Sequence, residues 1–465
     1  MSRPNGGKPH LHFMGVGGVG MSGLARWCQQ DGYRVSGCDQ NESSEVLALR
    51  SQGIAVEIGH DAAHLQGVDQ LVSTMAVSAD NAELGAARAH GITCLHRIEL
   101  LSRLLERHQG VTVTGTHGKS TTTGMIAHIL RAVGLDPSVL IGGHLSCLDG
   151  NVAYGRGDLF VTEVDESDPG FARLKSRVAV ITNLQDDHVA GEFDERRNYH
   201  ASMSELEAAM RAFAGSAERV LYCADWPGLV PLLGDVDGAL TYGLSAHSSY
   251  RAKGATLRGM TSVFTFVGLS RGPLEVALPI PGNHNVQNAT AALAVADTLG
   301  IDLDAAATAL AEFPGVGRRM QRRGSVANAL VLDDYAVHPT EVEVVLTVAR
   351  DTGRRVRAVL QPHRWVRTAR HWRALADAAS LADEVIVLDI YSAGEAPIAG
   401  VSARLIVERL RQTGKRVSYH DIASAQDYLE ESLAENDLVI TLGAGDVWKV
   451  AEGLVRALGG DDGTA

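Results

Sequence analysis

Gly115-Thr116-His117-Gly118-Lys119-Ser120 follows the apolar run VTVT and precedes TTTGMIAHILRAVG. A glycine-rich turn between strand and helix offers backbone N–H groups to an anion, a lysine adds a point charge for phosphate, and a hydroxyl can reach Mg2+. The spacing is not that of the standard Walker loop, because Val113 stands five residues before Gly118 where that loop has glycine. The order of strand, turn, Lys119, Ser120, Thr121 and helix is nevertheless that of a phosphate cradle. Gly115 to Thr121 are therefore the candidate nucleotide contacts, with Lys119 the leading catalytic candidate.

A second glycine-rich turn, GVGGVG at Gly15 to Gly20, lies after the strand-like LHFMGV and before a helical stretch, and Asp39 ends the next strand. Gly17, Gly18, Val19 and Gly20 can approach a pyrophosphate at a helix N-terminus. A dinucleotide and a UDP-sugar satisfy this pattern equally, and a tight turn without ligand also does. Ser73 and Thr74, at the end of the strand-like QLVSTM, join the same candidate site.

Acidic runs stand at two further strand ends: EVDESD after DLFVT, and DDH, with His188, after VAVITNL. Mg2+ favours carboxylates, water and substrate phosphates, while histidine is a less usual ligand for it. Either run alone reads more readily as a solvated loop than as a metal site. PGNHNVQN puts His284 and Asn288 at a helix start, as caps or as nucleotide contacts. Arg318 and Arg319 in FPGVGRRM, and Arg364 and Arg367 in QPHRWVR, carry forked guanidiniums suited to phosphate or carboxylate. The chain has no nucleophile elbow, Cys-His signature or zinc-protease spacing, so covalent enzyme catalysis is not favoured.

These residues need a scaffold that gathers strand ends. Short β-branched runs alternate with longer Ala/Leu-rich helical stretches throughout, the signature of α/β folding. The 465 residues predict about three domains: a Rossmann-like domain over 1–108, a central P-loop-like α/β domain over 109–322, and a second Rossmann-like domain over 323–465. In such sheets ligands gather at the carboxyl ends of strands, here QPHRW, DIYSAGE and GAGD. A net charge of -13 argues against nucleic-acid binding. Five scattered cysteines suit a reducing compartment, and no apolar run spans a bilayer, so a cytoplasmic location is expected.

GVGGVGMSG, TGTHGKSTTT, EVDESD, ITNLQDDH, PGNHNVQNATAA, FPGVGRRM, DDYAVHPTE, QPHRWVRT, LDIYSAGEAPI and TLGAGDVW occur in the order found in the Mur ligases, which this chain resembles over nearly its whole length. The resemblance implies a three-domain, ATP- and Mg2+-dependent amide ligase acting through an acyl phosphate, monomeric or homodimeric. GMSG, EVDESD and LDIYSAGE are similar to the branch that adds L-alanine to UDP-N-acetylmuramate. A peptide-recycling ligase is the nearest rival; an NAD-dependent oxidoreductase and an inactive nucleotide-binding regulator are the rivals of other classes. By resemblance, Lys119 contacts ATP phosphates, Ser120 and Glu163 hold one Mg2+, and His188 holds a second. His284 and Asn288 lie toward adenine, Arg319 toward phosphate, and Tyr335, Arg364 and Arg367 around the alanine carboxylate. The chain departs from the family in carrying Ser120 for threonine and Ala336-Val337 for Gly-His, and it has no lysine between Lys175 and Lys253 to serve as a carbamylated metal-site anion.

Overall fold

A computed structural model describes residues 8–75, 77–148, 150–189 and 200–462, with the backbone alone at His188 and Asp462. It is built from three α/β domains and forms two compact units. The first comprises Met1–Thr256, Val263–Pro279 and Asn285–Pro314; the second comprises Leu257–Ser262, Ile280–His284 and Gly315–Ala465.

The first unit begins with a five-stranded sheet in the order Ala55–Ile58, Arg34–Asp39, His10–Met14, Gln70–Ser73, Thr93–His96, all parallel. This is the Rossmann order, with the reversal beside His10–Met14, where the glycine-rich turn emerges. Helix Val19–Gln30 buries Met21, Leu24 and Trp27. Its Gly23 faces strand Ser138–Leu145 so closely that a Cβ would lie 2.5 Å from Leu140 Cδ1. Trp27 packs edge-on against Phe160 at 5.4 Å. The helix thus anchors the N-terminal sheet to the central one.

The central sheet has ten strands, and its parallel heart runs Ala239–Gly243, Arg219–Cys223, Val178–Ile181, Gln109–Thr114, Leu159–Glu163. At its centre Val178–Ile181 is wholly buried and apolar, and Gln109–Thr114 and Leu159–Glu163 beside it are buried over all but one residue each, as in parallel sheets covered on both faces. Helix Lys119–Ala132 follows Gln109–Thr114 and buries Met125, Ile126, Ile129 and Leu130.

In the second unit the sheet order is Arg416–Tyr419, Glu384–Val387, Arg355–Leu360, Asp437–Leu442, Ala329–Asp334, Gln321–Val326, Asp461–Asp462. Separate apolar clusters fill its two faces, one around Leu332, Leu346 and Ile406, the other around Val331, Ile386 and Leu454. Arg357 is wholly buried between Glu384 Oε2 at 2.8 Å and Asp437 Oδ2 at 3.2 Å. All five cysteines are free thiols, and no helix among the described residues is long and apolar enough to cross a membrane.

Candidate active site

The cradle at Gly115 to Thr121 is held from below by the neighbouring strand end. His117 N–H donates to Asn183 Oδ1 at 2.8 Å, and Thr182 Oγ1 and Asn183 Nδ2 donate to the His117 carbonyl at 2.6 and 3.0 Å. Gln185 N–H donates to Thr116 Oγ1 at 2.8 Å. Gly118 adopts φ 81°, and a Cβ there would lie 2.9 Å from Asn288 Oδ1. A left-handed backbone under a close neighbour is what only glycine meets without strain. Asn288 in turn accepts from Thr122 Oγ1 at 3.1 Å, so it braces the loop from beneath.

Lys119 Nζ donates to the Gly115 carbonyl at 2.6 Å and to Glu166 Oε2 at 2.8 Å. Burial works to lower its pKa, but the carboxylates of Glu166, Asp165 and Glu163 outweigh that and hold the ammonium above its ordinary range. Ser120 Oγ donates to Glu163 Oε2 at 2.6 Å, and Glu163 ends the strand beside Gln109–Thr114, opposite Val113. A hydroxyl and a carboxylate at one corner of a phosphate cradle are a hard-oxygen donor pair that fits Mg2+. The His188 side chain lies outside the described residues.

At the first turn, Gly17 N–H donates to Asp39 Oδ2 at 2.9 Å and Asn41 N–H to Asp39 Oδ1 at 3.1 Å. Asp39 therefore closes the turn on itself. Gly18 caps helix Val19–Gln30 without a side-chain bond, and Ser73 ends its strand with Thr74 following. Arg97, not singled out by the sequence, stands over this turn: a Cβ on Gly20 would lie 2.9 Å from its Nη1. Asp165 and Asp168 lie 3.5 and 3.6 Å from the same guanidinium. Its position after the strand Thr93–His96 was the available signal, since basic residues at strand ends are candidate anion contacts.

In the second unit the two arginines of FPGVGRRM diverge. Arg318, at φ 58°, donates to Asp333 Oδ2 at 3.1 Å and to the Ala444 and Gly445 carbonyls at 3.2 and 3.1 Å, pinning the GAGD loop. Arg319 faces Glu341 at 4.0 Å. Both guanidiniums lie 5.2 Å from the Tyr335 ring, which is 39% exposed. Burial raises Asp334 to about 6 against the pull of Arg319.

Arg364 holds φ 67° at the head of helix Trp365–Ala379, and its Nε donates to Glu395 Oε1 at 2.5 Å. Backbone strain of this kind persists where surrounding structure enforces it, commonly at functional sites. Arg367 Nη1 lies 3.4 Å from His363 Nδ1. Burial, then Arg367 and Arg364, lower His363 to about 4, which leaves it neutral between two cations. His284 Nδ1 is buried without a hydrogen-bond partner among the described residues, and burial lowers this histidine to about 4. An orphaned ring nitrogen is one that a nucleotide base can satisfy.

A phosphate cradle with a lysine and a hard-oxygen pair, at the carboxyl edge of a parallel sheet, defines a phosphoryl-handling α/β enzyme. Three family profiles match in sequence order: the Mur ligase family catalytic domain over residues 10–109, the Mur ligase middle domain over 113–296, and the Mur ligase glutamate ligase domain over 318–445. The chain belongs to the Mur ligase family. It is similar to a UDP-N-acetylmuramate--L-alanine ligase of Deinococcus radiodurans, 47% identical over 96% of this chain and 93% of the relative. One from Sorangium cellulosum is 39% identical over 97% and 96%. Among solved structures, a UDP-N-acetylmuramate-alanine ligase from Thermotoga maritima superposes with a TM-score of 0.82 at 30% identity, covering 97% of this chain and 99% of that one. A murein peptide ligase from Psychrobacter arcticus shares the fold at 0.69 and 24%, covering 97% and 99%.

Proposed function

We propose that the chain joins L-alanine to the lactyl carboxylate of UDP-N-acetylmuramate, with ATP converted to ADP and phosphate, in cytoplasmic synthesis of peptidoglycan precursors. The carrying observation is the pairing of Lys119 with the Gly115 carbonyl and of Ser120 with Glu163, in a chain similar over almost its full length to relatives named for that reaction.

In this reading Gly115 to Thr121 wrap the ATP phosphates and Lys119 neutralises them. His284 and Asn288 lie on the adenine side. Ser120 and Glu163 hold one Mg2+ and His188 a second, and bound Mg2+ supplies charge neutralisation on the phosphates. Gly17 to Gly20, Asp39, Ser73 and Thr74 receive the sugar nucleotide. Tyr335, Arg364 and Arg367 hold the alanine carboxylate, and Arg319 serves the transferring phosphoryl group. The sugar's carboxylate oxygen takes the γ-phosphoryl group, the uncharged amine attacks the acyl carbon, and phosphate leaves as the C–O bond breaks, one amine proton departing with it as hydrogen phosphate. Positioning and electrostatics suffice for the phosphoryl step. We divide the chain into working domains at 1–108, 109–322 and 323–465, in a monomer or homodimer.

Phosphate release from ATP tests the assignment. Release should require both UDP-N-acetylmuramate and L-alanine. Dependence on the murein tripeptide in place of alanine would move the chain to the recycling activity, and release with neither acceptor would refute both.

A further inference from the structure

Beneath the N-terminal glycine-rich turn, four elements send one metal-binding side chain each to a common point. His12 comes from strand His10–Met14, Cys38 from strand Arg34–Asp39, His64 from the short turn Ala62–Leu65, and Glu83 from helix Ala82–Ala89. Glu83, with no exposed side-chain surface, is the centre. Its Oε1 lies 3.1 Å from His12 Nε2 and 3.2 Å from His64 Nδ1, and its Oε2 lies 3.2 Å from Cys38 Sγ. All four candidate ligand atoms lie within 4.8 Å of one another. None of these residues has a part in the reaction described above.

We propose that His12, Cys38, His64 and Glu83 form a zinc site that fixes the base of the sugar-nucleotide turn. Two nitrogens, one sulfur and one oxygen match the ligand preferences of zinc, and the thiol excludes Mg2+ and Ca2+ as the natural occupant. Zinc–nitrogen bonds of about 2.0 Å and a zinc–sulfur bond of about 2.3 Å set tetrahedral edges of roughly 3.3 to 3.6 Å. The separations from Glu83 fall a few tenths of an ångström short of those edges, and the remaining pairs, all within 4.8 Å, draw in by side-chain rotation. His12 is also oriented as a ligand: Ser36 Oγ, 2.8 Å from its Nδ1, turns Nε2 inward. His60 Nδ1, 3.0 Å from Glu83 Oε2, braces the carboxylate in the same manner.

The charge balance closes. Without metal, burial and Glu83 keep the Cys38 thiol protonated, and it donates to the carboxylate. Zinc uptake replaces the thiol proton, which leaves to solvent; each imidazole binds as the neutral tautomer with its proton on the ring nitrogen away from the ion, for His12 the Nδ1 facing Ser36 Oγ, and thiolate plus carboxylate neutralise the charge. The Cys38 carbonyl accepts from Gly15 N–H at 2.8 Å and Val16 N–H at 3.1 Å. An ion held by the Cys38 side chain therefore anchors the peptide on which the turn rests.

The test is titration of the chelator-treated full-length chain with Zn2+ and, separately, Co2+, in excess Mg2+, read by native mass spectrometry, visible absorption and thermal unfolding. One ion per chain, a thiolate-to-cobalt charge-transfer band and a rise in Tm are expected. Cys38→Ser should lose that band, and His64→Gln, at the least buried ligand, should weaken zinc binding at least about tenfold. No stoichiometric uptake by the wild-type chain would overturn the site and leave a hydrogen-bonded cluster around Glu83. So would an unchanged cobalt band in Cys38→Ser.

Discussion

Lys119 and Glu166 form a buried ion pair, Nζ to Oε2 at 2.8 Å, with the Glu166 side chain fully enclosed. The lysine expected to serve phosphate is thus also the counter-ion of a carboxylate in the core. Lys119→Met should abolish alanine-dependent phosphate release, a loss of at least about a thousandfold. It should also destabilise the fold by about 3 to 5 kcal/mol, because truncating one partner strands a buried charge. The double variant Lys119→Met/Glu166→Gln should regain most of that stability in urea unfolding and none of the activity. Activity in either variant would remove Lys119 from the phosphate site.

Gly142 offers a way to disturb the proposed Mg2+ corner without replacing Ser120 or Glu163. A Cβ there would lie 1.9 Å from Glu163 Oε1, the far end of a flexible side chain. Gly142→Ala should therefore displace the carboxylate and leave the backbone intact. The Mg2+ concentration for half-maximal rate should rise roughly tenfold, in line with loss of a charge-assisted contact of about 1.5 kcal/mol. An unchanged Mg2+ dependence would mean that Glu163 does not serve the metal from this position.

Arg364→Ala keeps a non-glycine residue at φ 67° and so removes the guanidinium without relaxing the backbone. The KM for L-alanine should rise roughly 10- to 100-fold, as expected for one hydrogen-bonded charge contact, with the KM for ATP changing little. Equal rises in both would assign the residue to domain structure and not to the amino acid.

His284 predicts an acid-side loss of stability. With its folded value held at about 4 and an unfolded value of 6.5, the unfolded chain binds the proton first as pH falls. The contribution is complete above pH ~6.5 and is lost as pH falls toward ~4, by up to about 3 kcal/mol. Asp334, raised to about 6 by burial, acts in the opposite sense, costing stability as pH rises through that value. His284→Gln should therefore show a smaller decrease in unfolding free energy on acidification than the wild-type chain. An identical decrease would mean that His284 titrates normally.

The two glycine-rich turns, the phosphate cradle among them, and the alternation of strands and helices were legible because each is written in contiguous residues with a local physical meaning. Helix Lys119–Ala132, with Gly134 just beyond it at φ 79°, follows from the pattern of TTTGMIAHILRAVG. What distance in the chain hides is partnership. Glu166 sits in the acidic run noticed for Glu163, yet nothing in EVDESD tells which carboxylate faces Lys119. Arg318 and Arg319 are adjacent and identical in type, and only the fold sends one to the Ala444 and Gly445 carbonyls and the other toward Glu341. The cluster around Glu83 draws on residues from four separate segments, none with metal-motif spacing.

The buried triad of Arg357, Glu384 and Asp437 has a consequence for how the C-terminal sheet finds its alignment. Arg357 lies opposite Glu384 on one side, and Arg355 lies opposite Asp437 on the other. Side chains alternate faces, so a slip of one residue in any of these three strands would turn its charge to the opposite side. The remaining members would then be enclosed without a partner, at a cost of several kcal/mol. Mispaired sheets are thereby penalised during folding, and the loops QPHRW, DIYSAGE and GAGD inherit their placement from that proofreading.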